Sequence, residues 1–285
     1  MALRTILVAA SGGSASDGAV ETACRLAKRV GAHLEGFHVK VDPTQIAMLA
    51  ADGLGMPVAG DWIDRLIEDA DKLAETTKGK FAAAVERNGM SMKATPQAPA
   101  PASWHVEIGY APVLVARRAR FFDLAVLGRS ERVVDRPHSD TIEETLVLSG
   151  RPVLLAPAKP PTAIGHRVAL GWNGSAEAVH VMSAALPILE KADAVSAITV
   201  GDDAEADPLP LLEYLLAHGI SAKHRRVLPV RGVGPGEQLL AEARDLDSDL
   251  LVMGAYGHRR WRELLFGGAT REIVGTSLLP VLLAH

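Results

Sequence analysis

Short apolar segments alternate with helical patterns along most of the chain. The first apolar run, Thr5–Ala9, is followed by apolar residues spaced three to four apart over residues 19–30, which places them on one face of a helix that ends at Gly31. A second apolar run covers residues 33–39. Apolar runs that alternate with amphipathic helices are typical of a parallel sheet covered by helices, so the pattern predicts an α/β fold with right-handed crossovers.

The remainder of the first half continues this alternation with two interruptions. Residues 61–88 carry the longest helical pattern in the chain. Residues 42–60 and 90–101 are predicted to be irregular insertions. The second insertion contains the stretch PQAPAP, which cannot form a central strand. The other predicted elements are a strand at 104–108, a helix opened by Pro112, and strands at 123–128 and 152–156.

The same order of elements recurs in the second half. RTILVAASGG aligns with HRVALGWNGS, which places Ile6 over Val168. DLAVLG aligns with DLLVMG, and RPVLLAP aligns with LPVLLAH. Three matches in the same order indicate a duplicated domain, and the Pro-rich residues 157–165 are typical of a linker. We therefore predict two domains, residues 1–157 and residues 166–285, with the insertions in the first copy.

Composition narrows the class of protein. A length of 285 residues suits about two domains, and 48% hydrophobic with 22% charged residues is ordinary for a globular protein. Only 4% of residues are aromatic, so Ala, Val, Leu and Ile must build the cores. A net charge of −4 without a basic run predicts no binding to nucleic acid or to a membrane.

Cysteine usage and the amino terminus point to a compartment. The single cysteine, Cys24, excludes a disulfide framework and a Cys-rich metal site, and its place on the apolar face of the first helix favours burial over reactivity. The sequence contains neither a signal-peptide pattern nor a run of about 18 apolar residues. We expect a cytoplasmic protein without a membrane segment.

The stretch with candidate chemistry is GAYGHRRWRELLFGGATREIV, residues 254–274. Gly254 and Gly257 follow a predicted strand, and Gly267 and Gly268 precede the next helix. A doubly wound fold presents backbone N–H groups to anions at these two places. The alternative is that the glycines only turn the chain.

Basic side chains accompany this motif. His258 is the one histidine that we place near a ligand, and three arginines could add positive charge at a phosphate. These arginines are Arg259, Arg260 and Arg262.

The spaced glycines, the strand before them, the final PVLL strand and the Gly-Ser turn after the first strand resemble the universal stress proteins. The resemblance covers the whole chain as a tandem of two such domains. It implies two Rossmann-like domains, each an open five-stranded parallel sheet in the order 3-2-1-4-5 with helices on both faces. In some members ATP is bound at the carboxyl edge of the sheet, and for this chain the expected ligand is ATP with magnesium.

Carried over by position, the resemblance implies a nucleotide site in the second domain. Asn173 and Val200 would line the adenosine end. The glycines that would contact phosphate are Gly254, Gly257, Gly267 and Gly268. ATP-binding members usually have Ser or Thr where this chain has Gly268, and Asp where it has Asn173; backbone N–H groups survive both changes.

The first domain departs further from the family pattern. Gly128 is followed by RSERVVDRPHSD, which lacks the second glycine and places Glu131, Asp135 and Asp140 where phosphate would lie. Like charges there would repel a triphosphate. We expect this half to keep the fold but not to bind ATP, and to serve the interface or another ligand.

Two further glycine-containing segments have weaker functional interpretations. SGGSAS, residues 11–16, resembles the phosphate loop of ATP-pyrophosphatases, but a turn that caps the first helix at Ser14 or Ser16 is favoured. GVGPGE, residues 232–237, fits neither the dinucleotide fingerprint nor the Walker loop and is predicted to join a strand to a helix.

The sequence therefore predicts a stress-linked binding or regulatory protein that binds an adenine nucleotide in its second domain. No catalytic residue or metal ligand set is identifiable, so at most weak ATP hydrolysis is expected. The alternatives are a scaffold that acts through partners or dimer contacts without ATP, or a slow ATP-using enzyme. By family resemblance, the two domains would form a covalently linked version of the dimer that single-domain members form, often through their last strands, and a homodimer of the chain is possible.

Overall fold

The computed structural model describes residues 2–43, 60–93, 101–129, 137–201, 206–255, 273 and 277–285. Most of the predicted insertions, and the glycine motif after residue 255, lie outside this part of the chain. Within it, strands and helices alternate as the apolar pattern predicts.

The first half follows the predicted order of elements. Helix α1 ends where Gly31 takes a left-handed conformation, with a φ of 77°, and donates its N–H to the Ala27 carbonyl. The elements are β1 (Thr5–Ala9), α1 (Ser14–Val30), β2 (His33–Lys40), α2 (Gly60–Arg87), β3 (Ala102–Ile108), α3 (Ala111–Ala119), β4 (Leu124–Gly128), α4 (Pro137–Leu148) and β5 (Val153–Ala156).

The second half repeats this order. Its elements are β6 (Arg167–Gly171), α5 (Ala176–Leu189), β7 (Ala194–Val200), α6 (Leu209–Ala217), β8 (Ala222–Val227), α7 (Pro235–Asp245), β9 (Leu250–Gly254) and β10 (Val281–Ala284). The predicted alignment holds at the level of register, because Ile6 pairs with Leu124 exactly as Val168 pairs with Leu250. The GVGPGE segment connects β8 to α7, as predicted.

One sheet runs through the molecule. Its order is β3-β2-β1-β4-β5-β10-β9-β6-β7-β8, so each half has the predicted order 3-2-1-4-5 with parallel neighbours. The halves join through the antiparallel pair β5 and β10, in which Leu282 lies opposite Leu154. The two five-stranded sheets are therefore continuous rather than separate.

Aliphatic side chains cover both faces of this sheet. Ile6 and Val168 belong to the core on one face, and their neighbours Leu7 and Ala169 belong to the core on the other. Cys24 is completely buried, and burial raises the pKa of its thiol to about 12, which keeps it protonated and unreactive. Among the described helices, none is long and apolar enough to cross a membrane.

A carboxylate holds the start of the first strand in each half. Asp123 accepts hydrogen bonds from the N–H groups of Arg4 and Thr5 at 2.9 and 3.0 Å. Asp249 occupies the equivalent position and accepts from Gly165 and His166 at 2.8 and 3.1 Å. The aspartate that opens both DLAVLG and DLLVMG thus ties neighbouring parallel strands together at their amino ends.

Polar contacts also fasten α1 to the start of the second half. The Arg29 guanidinium donates to His166 Nε2 at 2.6 Å and to the Gly165 carbonyl at 3.1 Å. Lys191 Nζ donates in return to the Arg29 carbonyl at 2.8 Å. The two halves are therefore connected on this helical layer as well as through the sheet.

Candidate functional site at the carboxyl edge of the sheet

The predicted site residues within the described part of the second half lie at one edge of the sheet. Asn173 follows β6, Val200 ends β7 and Gly254 ends β9, and these three strands are parallel neighbours. The chain order reverses between β6 and β9, which is where open α/β sheets form a ligand crevice. Gly257, Gly267, Gly268 and His258, with the three arginines, lie outside the described residues.

Gly254 brings the end of β9 against the first turn of α5. A Cβ at this position would lie 2.6 Å from the Ala178 nitrogen and 2.8 Å from the Glu177 carbonyl carbon. Gly128 has the same role in the first half, where a Cβ would lie 2.3 Å from the Ala15 carbonyl oxygen. Packing alone therefore requires glycine at Gly254, and contact with phosphate there stays a prediction.

The loop after β1 satisfies its own backbone donors. Ser16, the third residue of α1, turns its hydroxyl back to accept the N–H groups of Ser11 at 2.9 Å and Gly12 at 3.4 Å. The residue at the N-cap position is Gly13, and it makes no side-chain capping bond. The prediction that Ser14 or Ser16 caps α1 was wrong, because the buried Ser16 hydroxyl is used by the loop rather than by the helix end.

The equivalent loop after β6 lacks this internal acceptor. The alignment that pairs Ile6 with Val168 places Ala178 where the first half has Ser16, and Gly174 shares the left-handed conformation of Gly12, with φ values of 74° and 89°. The backbone N–H groups of Asn173 and Gly174 have no acceptor among the described residues. They are donors placed at the switch point of the sheet.

Side chains around this loop fix its shape. Asn173 Oδ1 accepts the Ser175 N–H at 3.2 Å, and its amide NH₂ has no acceptor among the described residues. Ser175 caps α5 by accepting the Ala178 N–H at 3.2 Å. Trp172 donates its indole N–H to the Asp207 carbonyl at 3.0 Å. Sequence reasoning missed the Ser16 and Ala178 difference, although the repeat alignment contains it.

Val200 contributes an apolar surface at the same edge. Its side chain is half-buried and packs against the core beneath the sheet edge. An aliphatic wall at this depth suits the face of a purine base, which agrees with the role that the family resemblance implies.

The corresponding edge of the first half carries different charges. Arg129, directly after β4, is buried and donates Nη1 to the Ile273 carbonyl at 3.2 Å, which commits it to the second half. Asp140 is exposed in the first turn of α4, whereas Glu131 and Asp135 lie outside the described residues. Within the described part of the chain, no cluster of His, Cys, Asp and Glu could hold a metal ion.

Comparisons with known proteins agree with this architecture. Residues 166–285 match the model of the Universal stress protein family. The crystal structure of a universal stress protein from Archaeoglobus fulgidus DSM 4304 has a TM-score of 0.74 and 17% identity, over 100% of this chain and 99% of that chain. No curated protein matches the sequence.

Two further structures share the fold along nearly the whole chain. A putative universal stress protein from Pseudomonas aeruginosa UCBPP-PA14 has a TM-score of 0.55 and 12% identity, over 99% of this chain and 93% of that one. The cytoplasmic domain of a prokaryotic cation chloride cotransporter has a TM-score of 0.50 and 12% identity, over 99% and 95%. At these identities the similarity concerns the fold, which different functions share.

Proposed function

We propose that the second half of the chain binds an adenine nucleotide, since residues 166–285 match the model of the Universal stress protein family. The ligand is ATP with magnesium, held at the carboxyl edge of β6, β7 and β9. The chain then works as a stress-linked binding or regulatory protein rather than as an efficient enzyme.

The observation that carries the proposal is the pair of unsatisfied donors in the loop after β6. Asn173 and Gly174 are exposed and their N–H groups have no acceptor among the described residues, so both donors are open to an acceptor from a ligand. In the first half the Ser16 hydroxyl takes that place. The two loops share a left-handed glycine and differ in whether the chain itself supplies an acceptor for the loop amides.

The nucleotide would lie across the switch point. Asn173 and Val200 would line the adenosine end, as the family resemblance implies. The phosphates would follow the first turn of α5, whose amino end carries partial positive charge, toward the glycine motif. The residues proposed to contact phosphate or lie beside it are Gly254, Gly257, Gly267, Gly268 and His258.

Calorimetric titration with ATP and magnesium tests this proposal. We expect one saturable site, which Gly257→Val abolishes because a branched side chain blocks close approach of phosphate to the backbone. Absence of heat and of any thermal shift at millimolar ATP would refute nucleotide binding while leaving the fold unaffected.

A serine exchange between the two loops tests the observation itself. Ala178→Ser recreates the acceptor of the first half and should weaken ATP binding by about fivefold to tenfold, as expected when an internal hydroxyl competes for the two donors. Ser16→Ala is the matched control and should leave the ATP affinity unchanged. Equal ATP affinities for Ala178→Ser and the wild type would show that the amides of Asn173 and Gly174 do not contact ATP.

A further inference from the structure

A large cavity lined by described residues lies in the first half. Its volume is about 850 Å³, within the range of roughly 300–1,000 Å³ for small-molecule sites. It opens at the carboxyl ends of β1, β2 and β4, the equivalent of the edge described above. Helices α3 and α4 contribute its side wall through Val115 and Ile142.

Helix α2 forms the roof of this cavity. Leu66, Ala70 and Leu73 recur at helical spacing and face the space together. Helix α2 has 28 residues, whereas its counterpart α6 has nine. The additional turns therefore give α2 the length to cover this cavity.

The interior of the cavity is apolar. Phe37, Val115, Leu127 and Ile142 are all buried residues of its lining. At the mouth, Val41 and Tyr110 expose 55% and 56% of their surfaces and extend the apolar surface of the interior outward. Burial of an apolar molecule here would cover both the interior and the mouth.

Charge at the cavity disfavours a nucleotide. Among the described residues that line the cavity, Lys40 carries the positive charge, and it forms an ion pair with Asp71. Asp69 and Asp140 add negative charge at the rim. The amides of Ser11 and Gly12 are already bonded to Ser16, so the loop offers them to no phosphate.

A buried histidine gives the cavity a specific polar partner for a ligand. His38 lines it and is 2% exposed, with its ring stacked on Trp104. Its Nδ1 lies 2.6 Å from the Ala10 carbonyl, so this nitrogen carries the proton and donates. Burial lowers the pKa of His38, so the ring is neutral and Nε2 is an acceptor. No described residue donates to Nε2.

We propose that the first half binds an uncharged, aromatic or otherwise apolar small molecule that donates one hydrogen bond to His38 Nε2. The site is separate from the nucleotide site and uses a different chemistry. The duplicated fold thus carries two ligand classes, an anionic nucleotide in the second half and a neutral apolar molecule in the first.

Fluorescence titration with N-phenyl-1-naphthylamine tests this proposal on the full chain. The probe is neutral, aromatic and has one N–H group. We expect saturable binding of one probe per chain, with enhanced emission, that millimolar ATP does not reverse. The absence of saturable binding, or displacement of the probe by ATP, would overturn the proposal.

Two variants place the probe in the cavity. Ala70→Trp fills the space beneath α2 and should reduce probe affinity by more than tenfold. Ala82→Trp, at a similarly half-buried position of α2 outside the cavity lining, is the matched control and should bind as the wild type does. Equal probe affinities for the two variants would overturn the location. ATP titration of Ala70→Trp, which leaves the second half intact, separates failure of this proposal from failure of the nucleotide proposal.

A comparison of two ligands tests the hydrogen bond to His38. 1-Phenylnaphthalene lacks the N–H group, so its inhibition constant in competition with the probe should be about fivefold to tenfold higher than the dissociation constant of the probe. His38→Phe keeps an aromatic ring of similar size and should remove this difference. A ligand preference that persists in His38→Phe would overturn the role of His38, and the wild-type titration remains decisive if that variant does not fold.

Discussion

The glycines at the ends of β4 and β9 are required by helix packing, whether or not they also contact a ligand. Gly128 and Gly254 each admit the backbone of the first helix of their own half at distances that a Cβ would occupy. The sequence motif predicted Gly254 as a phosphate contact, because spacing alone cannot separate a glycine that approaches a helix from one that approaches a ligand. At Gly254, packing against α5 explains why glycine is required, whereas contact with phosphate stays a prediction.

Substitution of Gly254 by alanine should destabilise the protein without any ligand present. The added Cβ would meet the Ala178 nitrogen at 2.6 Å, so we expect a loss of about 1–3 kcal/mol in the free energy of unfolding, measured in urea. Gly79→Ala, in the middle of α2 with nothing within 4 Å of the new Cβ, should instead stabilise by about 0.5–1 kcal/mol. Equal effects of the two substitutions would contradict the packing argument.

The buried histidine of the first half should make stability depend on pH. Burial lowers the pKa of His38 in the folded protein, although its bond to Ala10 partly offsets this. In the unfolded chain His38 has the ordinary histidine pKa of about 6.5, so below this pH the unfolded chain binds a proton that the folded chain does not bind. The free energy of unfolding is therefore highest above this pH and decreases as the pH falls below it.

Urea unfolding at about pH 8 and about pH 5.5 measures this contribution. The wild type should lose more stability between the two conditions than His38→Phe, whose aromatic ring does not titrate. Parallel losses in the wild type and the variant would show that His38 is not held neutral by the fold.

At the scale of elements, the repeated aspartate shows what alignment finds and what it misses. The match between DLAVLG and DLLVMG correctly predicted two equivalent strands. The role of Asp123 and Asp249 could not be predicted, because their N–H donors come from strands more than 80 residues away in sequence. Register between distant strands is set by the whole sheet rather than by local pattern.

Loss of this carboxylate should loosen β6 from β9. Asp249→Ala removes the acceptor of the Gly165, His166 and Arg167 amides and should destabilise the protein by about 1–3 kcal/mol. Asp245→Ala, at the exposed end of α7, is the control and should change stability by less than about 0.5 kcal/mol. Thermal unfolding of both variants measures the difference, and similar midpoints would refute the tie between the strands.

Helix lengths explain why the first-half cavity escaped prediction. Residues 61–88 were correctly predicted as one long helix, and α2 spans Gly60–Arg87. Periodicity identifies a helix and its apolar face, but it does not show that the first turns project beyond the sheet and cover its carboxyl edge. That feature depends on the angle at which Phe81 and its neighbours pack on the sheet, which is a property of tertiary structure.

At the scale of the whole molecule, the join between β5 and β10 makes the two halves one sheet. Leu282 pairs with Leu154, and both are buried. The sequence matched PVLL in each half but could not show that these strands meet each other. An open strand with apolar side chains invites pairing with another chain, and here the other half of the same chain covers it.

Separation of the halves should expose this strand. Residues 158–285 expressed alone would present β10 without its partner, so we expect a dimer through antiparallel pairing of β10 with its own copy. Light scattering after size-exclusion chromatography measures the mass, with the full chain as the reference. A monomeric fragment at micromolar concentrations would contradict the prediction.

The division into residues 1–157 and 166–285 stays a prediction about independent domains, and so do the roles of the site residues. The fold was predictable because the apolar periodicity and the repeat can both be recognised in short segments of the sequence. The proposed difference in ligand chemistry between the two halves rests on small changes at equivalent places, such as Ser16 against Ala178. Their meaning depends on which backbone donors the folded loop leaves without a partner.

Equilibrium dialysis against ATP and magnesium tests the central claim most directly, because it counts nucleotides per chain. The second-half site predicts one bound ATP per chain, lost in Gly257→Val and retained in Ala70→Trp. Two bound nucleotides per chain would contradict the assignment of a different ligand class to the first half, and none would contradict the proposed function.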